Sequence, residues 1–190
     1  MSGPAGGATM APMTEAVVIV PQPPRALRPS ARFMLSHPAH LVALGFGSGL
    51  SAIAPGTCGT LWAWAAFNAM QLWLPPVAIG WVILLALPLG WWACTVTARH
   101  MGVADPSHIV WDEILCFWLV LWLVMPAGFL AQVAAFALFR YFDAAKPGPV
   151  AWVDLRFKGF GWRGGFGILA DDLTAAFCTL LVIAAWKHLA

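Results

Sequence analysis

Only 9% of the 190 residues are Asp, Glu, Lys or Arg, against roughly 25% in soluble domains, and that scarcity excludes an ordinary water-soluble globule. The basic residues form no runs and the net charge is +2, so there is no electrostatic footprint for nucleic acid. Cys58, Cys94, Cys116 and Cys178 lie scattered without C-x-x-C spacing. They read as small packing residues rather than disulfide partners or thiolate metal ligands. What is abundant points one way. The chain is 61% hydrophobic with twelve Trp, and its mean hydropathy is +0.80. At this length it is expected to form one domain of helices packed in a bilayer.

Residues 1–36 are rich in Ala, Pro and Gly, with Arg25, Arg28 and Arg32 near the end. They are expected to be a disordered cytoplasmic arm, leaving 37–190 as the membrane domain. The apolar run Ala16–Val20 is too short to span and stops at Pro21. It has no positively charged flank of the kind a signal peptide carries. After a glycine-rich passage from Gly45 to Thr60 come apolar runs Leu61–Leu74 and Val77–Ala98. The first is marginal, since a span needs about 20 residues. Pro75 and Pro76 make the turn between them.

The run Ile114–Phe139 is interrupted by Pro126 and Gly128, which predicts a helical hairpin rather than one long helix. A hairpin returns to the side it left, so Asp112 and Glu113 at its start should meet Arg140 and Asp143 at its end. Lys146 to Gly165 mixes Pro, Gly, aromatic and basic residues and suits a membrane surface. A last helix is expected from Ile168 to Trp186. The fold class is all-α: a polytopic membrane helical bundle of about four to five transmembrane or half-membrane helices, the broken hairpin included. Basic residues flank one set of helix ends and set the orientation, with the N-terminus and the acids cytoplasmic.

The acids carry the chemistry. Asp171 and Asp172 are expected to open the last apolar run, and carboxylates at the mouth of a membrane helix are costly unless a cation sits there. Acids in a first turn also complement the helix dipole with no ligand, and for this pair alone both readings stand. Asp112, Glu113 and Asp143 on the same side favour a divalent ion. Hard oxygen ligands suit Mg²⁺, which keeps water or phosphate oxygens in its shell. The passage Gly45–Thr60 offers backbone N–H groups and the hydroxyls of Ser48, Thr57 and Thr60 to a phosphate, or else serves close helix packing. Arg140 and Asp143, at i and i+3, can pair with each other. Lys146, beyond the limb and before Pro147, is expected to be freer to meet a phosphate. His100 and His108 are left outside the candidate set.

Four blocks, GFGSGLSAIAPGTCGTLWA, IVWDEILCFW, FRYFDAAKPGPVAWVD and GGFGILADDLTAAF, span most of Leu41 to Phe177. Together they resemble the phosphatidylglycerophosphatase A family. The departures are local: Gly148 stands where the family usually has an aromatic, Ala52 where Pro is common, and Phe157–Arg163 is longer than usual. The resemblance implies an integral enzyme of the bacterial inner membrane. It implies Mg²⁺-dependent hydrolysis of the terminal phosphomonoester of phosphatidylglycerophosphate, giving phosphatidylglycerol and phosphate. The family's acidic positions fall on Asp112, Glu113, Asp143, Asp171 and Asp172.

The chemistry expected is in-line attack on phosphorus, with Asp112, Asp143, Asp171 and Asp172 holding the metal. Glu113, with Asp112 beside it, is the candidate proton acceptor. Ser48, Thr57, Thr60 and Lys146 would neutralise the phosphate oxygens. Water or a carboxylate nucleophile both fit the sequence. No Cys-x5-Arg pattern marks a cysteinyl phosphatase. The alternative reading is a small ion-coupled transporter, which would set its carboxylates near the bilayer midplane.

Overall fold

The computed structural model describes residues 28–189. Every regular element among these residues is helical: α1 (Ala31–Leu35), α2 (Pro38–Ala43), a 3₁₀ segment Gly45–Leu50, α3 (Pro55–Trp73), α4 (Pro76–Met101), α5 (Trp111–Val124), α6 (Phe129–Ala145), α7 (Pro149–Phe157) and α8 (Gly161–Leu189). Of the expected disordered arm 1–36, residues 1–27 lie outside the described residues. Beyond them a helix stands where disorder is expected, because the Ser30 Oγ accepts from Phe33 N (3.2 Å) and caps α1.

The centre is α5, buried on nearly every side from Trp111 to Val124. A helix apolar all round must be enclosed, and α3, α4 and α8 pack around this one. Trp111 and Trp118 bring N–H donors into the interior and each finds a carbonyl, Ala86 O (3.2 Å) and Ala63 O (2.9 Å), while Trp122 donates to Pro76 O (2.8 Å) at the surface. An indole left unpaired in the interior would have destabilised the packing.

Two helices, α4 with 26 residues and α8 with 29, are long and apolar enough to cross a membrane. Large apolar side chains on their outer faces stay exposed, among them Trp81, Leu84 and Leu85 on α4 and Phe177, Leu181 and Trp186 on α8. The hairpin forms as expected. α5 stops at Val124, α6 starts at Phe129, and Pro126 and Gly128 lie between. Arg140 near the end of α6 comes 3.7 Å from Glu113 at the start of α5.

Two boundaries differ from expectation. The helix expected at Leu61 starts at Pro55, whose fixed φ suits a first helical position. The last part of the glycine passage is therefore helix. The helix expected at Ile168 starts at Gly161, so Asp171 and Asp172 lie in its third turn and not at its mouth. Its early glycines allow close contact instead of breaking the helix. A Cβ on Gly165 would stand 2.9 Å from Thr95 Cβ and 3.1 Å from Thr95 Cα, where α8 crosses α4.

Candidate active site

Three carboxylates from two helices converge. One oxygen each from Asp112, Glu113 and Asp172 lies within 4.8 Å of the other two, and all three residues form one group able to hold a metal ion. Asp112 and Glu113 occupy the first turn of α5, where no side chain caps the helix. Asp172 projects from the third turn of α8 and is 3% exposed. A first-turn dipole role therefore fits the α5 pair and does not apply to Asp171 and Asp172. Asp112 Oδ1, Glu113 Oε2, Asp171 Oδ1 and Asp172 Oδ2 are buried with no hydrogen-bond partner in the protein. Orphaned buried carboxylate oxygens are costly unless something cationic meets them. This donor set, all hard oxygen, fits Mg²⁺.

The other two acids of the set are already engaged. Asp143 pairs with Arg140, three residues earlier on α6. Asp171 accepts from the Lys146 ammonium through Oδ2. Arg140 also reaches the Thr60 hydroxyl at 3.4 Å, while that hydroxyl donates to Gly56 O at 2.8 Å. A cavity of about 330 Å³ joins these groups, lined by Asp105, Asp112, Glu113, Asp143, Asp171 and Asp172 with Arg140 and Lys146. Six of the eight acids in the chain thus face one space.

The start of α3 closes one wall through Ala54, Pro55 and Gly56. Its first turn has no side-chain cap. A Cβ on Gly56 would meet the Glu113 carboxylate, standing 3.1 Å from its carboxyl carbon and 3.2 Å from Arg140 Nη1. Glycine is there so that the helix start can lie against the acid pair. Of the proposed phosphate hydroxyls, Thr60 is committed as above. Ser48 donates to Gly45 O at 2.9 Å. Neither Ser48 nor Thr57 lines the cavity.

Lys146, expected to be freer than Arg140 to meet a phosphate, is already held by two carboxylates. It ends α6 in a left-handed conformation (φ 44°, ψ 52°) and bridges Asp171 to Asp154 Oδ1 at 2.8 Å. Burial alone would lower its pKa, but the hydrogen bonds to Asp154 and Asp171 outweigh that and raise it. Asp154, on α7, was missed by the sequence reading. The signal was its position as the sole acid of a basic connector, four residues before Lys158. His100 and His108 are engaged in the fold: His100 Nδ1 meets His40 Nε2 at 2.8 Å, and His108 Nδ1 meets Gly49 O at 2.7 Å.

Fold and cavity together define a class: all-helical among the described residues, compatible with a membrane, with carboxylates of several helices facing one another across a shared space. The family model described as Phosphatidylglycerophosphatase A matches residues 41–187. The Escherichia coli (strain K12) protein of that name is 41% identical over 146 residues, covering 76% of this chain and 81% of its own length. The Haemophilus influenzae protein of the same name is 39% identical over 161 residues, covering 84% and 95%. A Bacteroides thetaiotaomicron protein, provisionally named a phosphatidylinositol-3-phosphatase, is 36% identical over 151 residues, covering 76% and 90%. No solved structure matches. The chain belongs to the phosphatidylglycerophosphatase A family. It is an enzyme, a phosphatase, and the transporter alternative finds no support.

Proposed function

We propose that the protein hydrolyses the terminal phosphomonoester of phosphatidylglycerophosphate in a Mg²⁺-dependent reaction, releasing phosphatidylglycerol and phosphate. The observation that carries the reading is the set of unpartnered carboxylate oxygens of Asp112, Glu113 and Asp172 beside the Arg140 and Lys146 cations. The names of the two more similar relatives reported above support the substrate.

Asp112 and Asp172 would hold the ion, with Glu113 reaching the same point. The metal supplies, when bound, charge neutralisation at a phosphoryl oxygen and a more acidic water. Glu113 accepts the proton of the attacking water, and its place 3.7 Å from Arg140 keeps that carboxylate oriented. Asp143 and Thr60 fix the Arg140 guanidinium. Arg140, Lys146 and the uncapped start of α3 at Gly56 face the phosphate oxygens, where charge accumulates in the transition state. One P–O bond forms to water as the bond to the glycerol oxygen breaks, and that oxygen leaves with a proton.

The topology belongs to the same reading. α4 and α8 cross the membrane, with α3 and the α5–α6 hairpin embedded beside them, in the inner membrane of a bacterium. The acid cavity opens to the cytoplasm, where the basic helix flanks favour it. Residues 37–190 act as one membrane domain behind an N-terminal arm.

The test is phosphate release by the purified protein from phosphatidylglycerophosphate, with Mg²⁺ or after chelation, and in parallel from phosphatidylinositol 3-phosphate. Release that needs Mg²⁺ and favours the first lipid is expected. Equal release after chelation would remove the metal from the reading, and preference for the inositol lipid would change the substrate.

A further inference from the structure

Lys146 stands between two acids. One is Asp171 in the acid cavity, and the other is Asp154 on α7, outside it, at 2.8 Å. The second oxygen of Asp154 is taken by Lys158 Nζ at 3.0 Å. The Asp154 side chain is only 13% exposed, whereas Lys158 is 53% exposed. The result is a row of alternating charges running from the cavity out to the surface: Asp171, Lys146, Asp154, Lys158.

An ammonium has three donors, and two of the donors of Lys146 are used in this row. Lys146 itself lines the cavity, so the third donor remains for a ligand there. The stem of Lys is flexible and does not fix its own head group. The backbone gives this one a defined root: a left-handed Lys146 followed by Pro147, a left-handed Gly148 (φ 54°) and Pro149 at the start of α7. Without Asp154 the nearest counter-charges would be those of the acid cavity. The ammonium would be drawn inward, into the space where the unpartnered oxygens of Asp171 and Asp172 lie.

We infer that Asp154 is a positioning residue: it holds the Lys146 ammonium at the mouth of the acid cavity, balanced against Asp171, so that the remaining N–H is presented to the substrate's phosphate. Lys158 supplies the outer counter-charge that keeps Asp154 in place. The inference rests on the reading of the cavity as the phosphatase site.

The experiment is a double-mutant cycle on the full chain, with kcat and KM measured separately and inorganic phosphate as inhibitor. Lys146→Met removes a hydrogen bond to a charged oxygen and should lower kcat/KM roughly 10- to 150-fold. Asp154→Asn should lower it by about 3- to 30-fold, chiefly through KM, with phosphate inhibition weakened in parallel. In the Lys146→Met background the same Asp154→Asn change should matter by less than about twofold, the margin within which independent sites add. Asp154→Glu, which keeps the charge, should recover part of the loss and carries the cycle if the Asn variant does not fold. A purely structural clip would lower the thermal stability of Asp154→Asn in the parent background and leave its KM unchanged, and that pattern overturns the inference. So does full additivity of the two substitutions. A Lys146→Met enzyme with normal kcat/KM would instead strike at the phosphate role given to Lys146 in the proposed function.

Discussion

Gly56→Ala separates a packing glycine from a loop glycine. Gly56 is the second residue of α3, and replacing a helical glycine by alanine ordinarily stabilises a helix, by roughly 0.5–1 kcal/mol. Here the added methyl would stand 3.1 Å from the Glu113 carboxyl carbon. Its nearest neighbour is Glu113 Oε1, well inside van der Waals contact, so the carboxylate must withdraw by about 1 Å or more. Arg140 Nη1, 3.2 Å from the same methyl, has to move with it. A misplacement near 1 Å can cost about 10²-fold in rate, and turnover should fall by roughly 10- to 100-fold on that scale. The folded state should survive, because the moving atoms are side-chain ends facing a cavity. Phosphate release and thermal unfolding of the two proteins in the same detergent decide the matter. A variant with normal turnover and a higher Tm would show that α3 does not press on Glu113, and the site geometry argued above would fall.

Asp172→Asn removes a corner of the carboxylate triad and should cut turnover by roughly 10²-fold or more while raising the Mg²⁺ concentration needed. Turnover close to normal would take Asp172 out of the metal site. Thr60→Val should lower both stability, by about 1 kcal/mol, and activity, because it releases Arg140. Thr57→Val should leave kcat/KM within about twofold, and a tenfold loss there would restore the hydroxyl to the phosphate. The last concerns pH. Burial alone would raise the Asp154 carboxyl, but hydrogen bonds from Lys146 and Lys158 outweigh it and hold the pKa below the usual range. A lowered folded value means its stabilisation is complete above about pH 3.9 and fades as pH falls through the folded value. The stability gap between the parent protein and Asp154→Asn should therefore be flat from about pH 5 to about pH 9 and close only in stronger acid. A gap that has vanished at about pH 6 would refute the assignment.

The parts of the site legible in the sequence were those set by strong local signals. Pro126 and Gly128 break the apolar run, and that break is enough to return Asp143 to the side of Asp112 and Glu113. The failures share a cause, the double meaning of glycine. The connector read from Lys146 to Gly165 already contains the first residues of α8 from Gly161, where small residues let the helix touch Thr95, and Gly167 just beyond it lies against Phe157. The passage ending at Thr60 likewise splits into a 3₁₀ segment and a helix start, which leaves Ser48 and Thr57 off the cavity wall while Gly56 lies on it. Asp154 was hidden for a different reason. It lies eight residues from Lys146 with a left-handed Lys–Pro–Gly–Pro corner between them, and no helical or strand period connects the two.

The charges around the cavity divide in a way that composition does not reveal. Six carboxylates face two cations there, and if all were unpaired the space would repel a phosphate. The two cations do not spread their effect evenly. Arg140 engages Asp143 closely and Glu113 at 3.7 Å, and Lys146 engages one oxygen of Asp171, while Asp112, Glu113 and Asp172 form the group with one ligand atom each within 4.8 Å. On the proposed reading, the cations beside that group would offer positive charge to the substrate's phosphate. Removing a cation would then act on both counts, freeing a carboxylate to compete for the metal and withdrawing the charge that admits the substrate. Both effects follow from one arrangement, with the end of α6 supplying Arg140 and Lys146, the start of α5 supplying Asp112 and Glu113, and the body of α8 supplying Asp172.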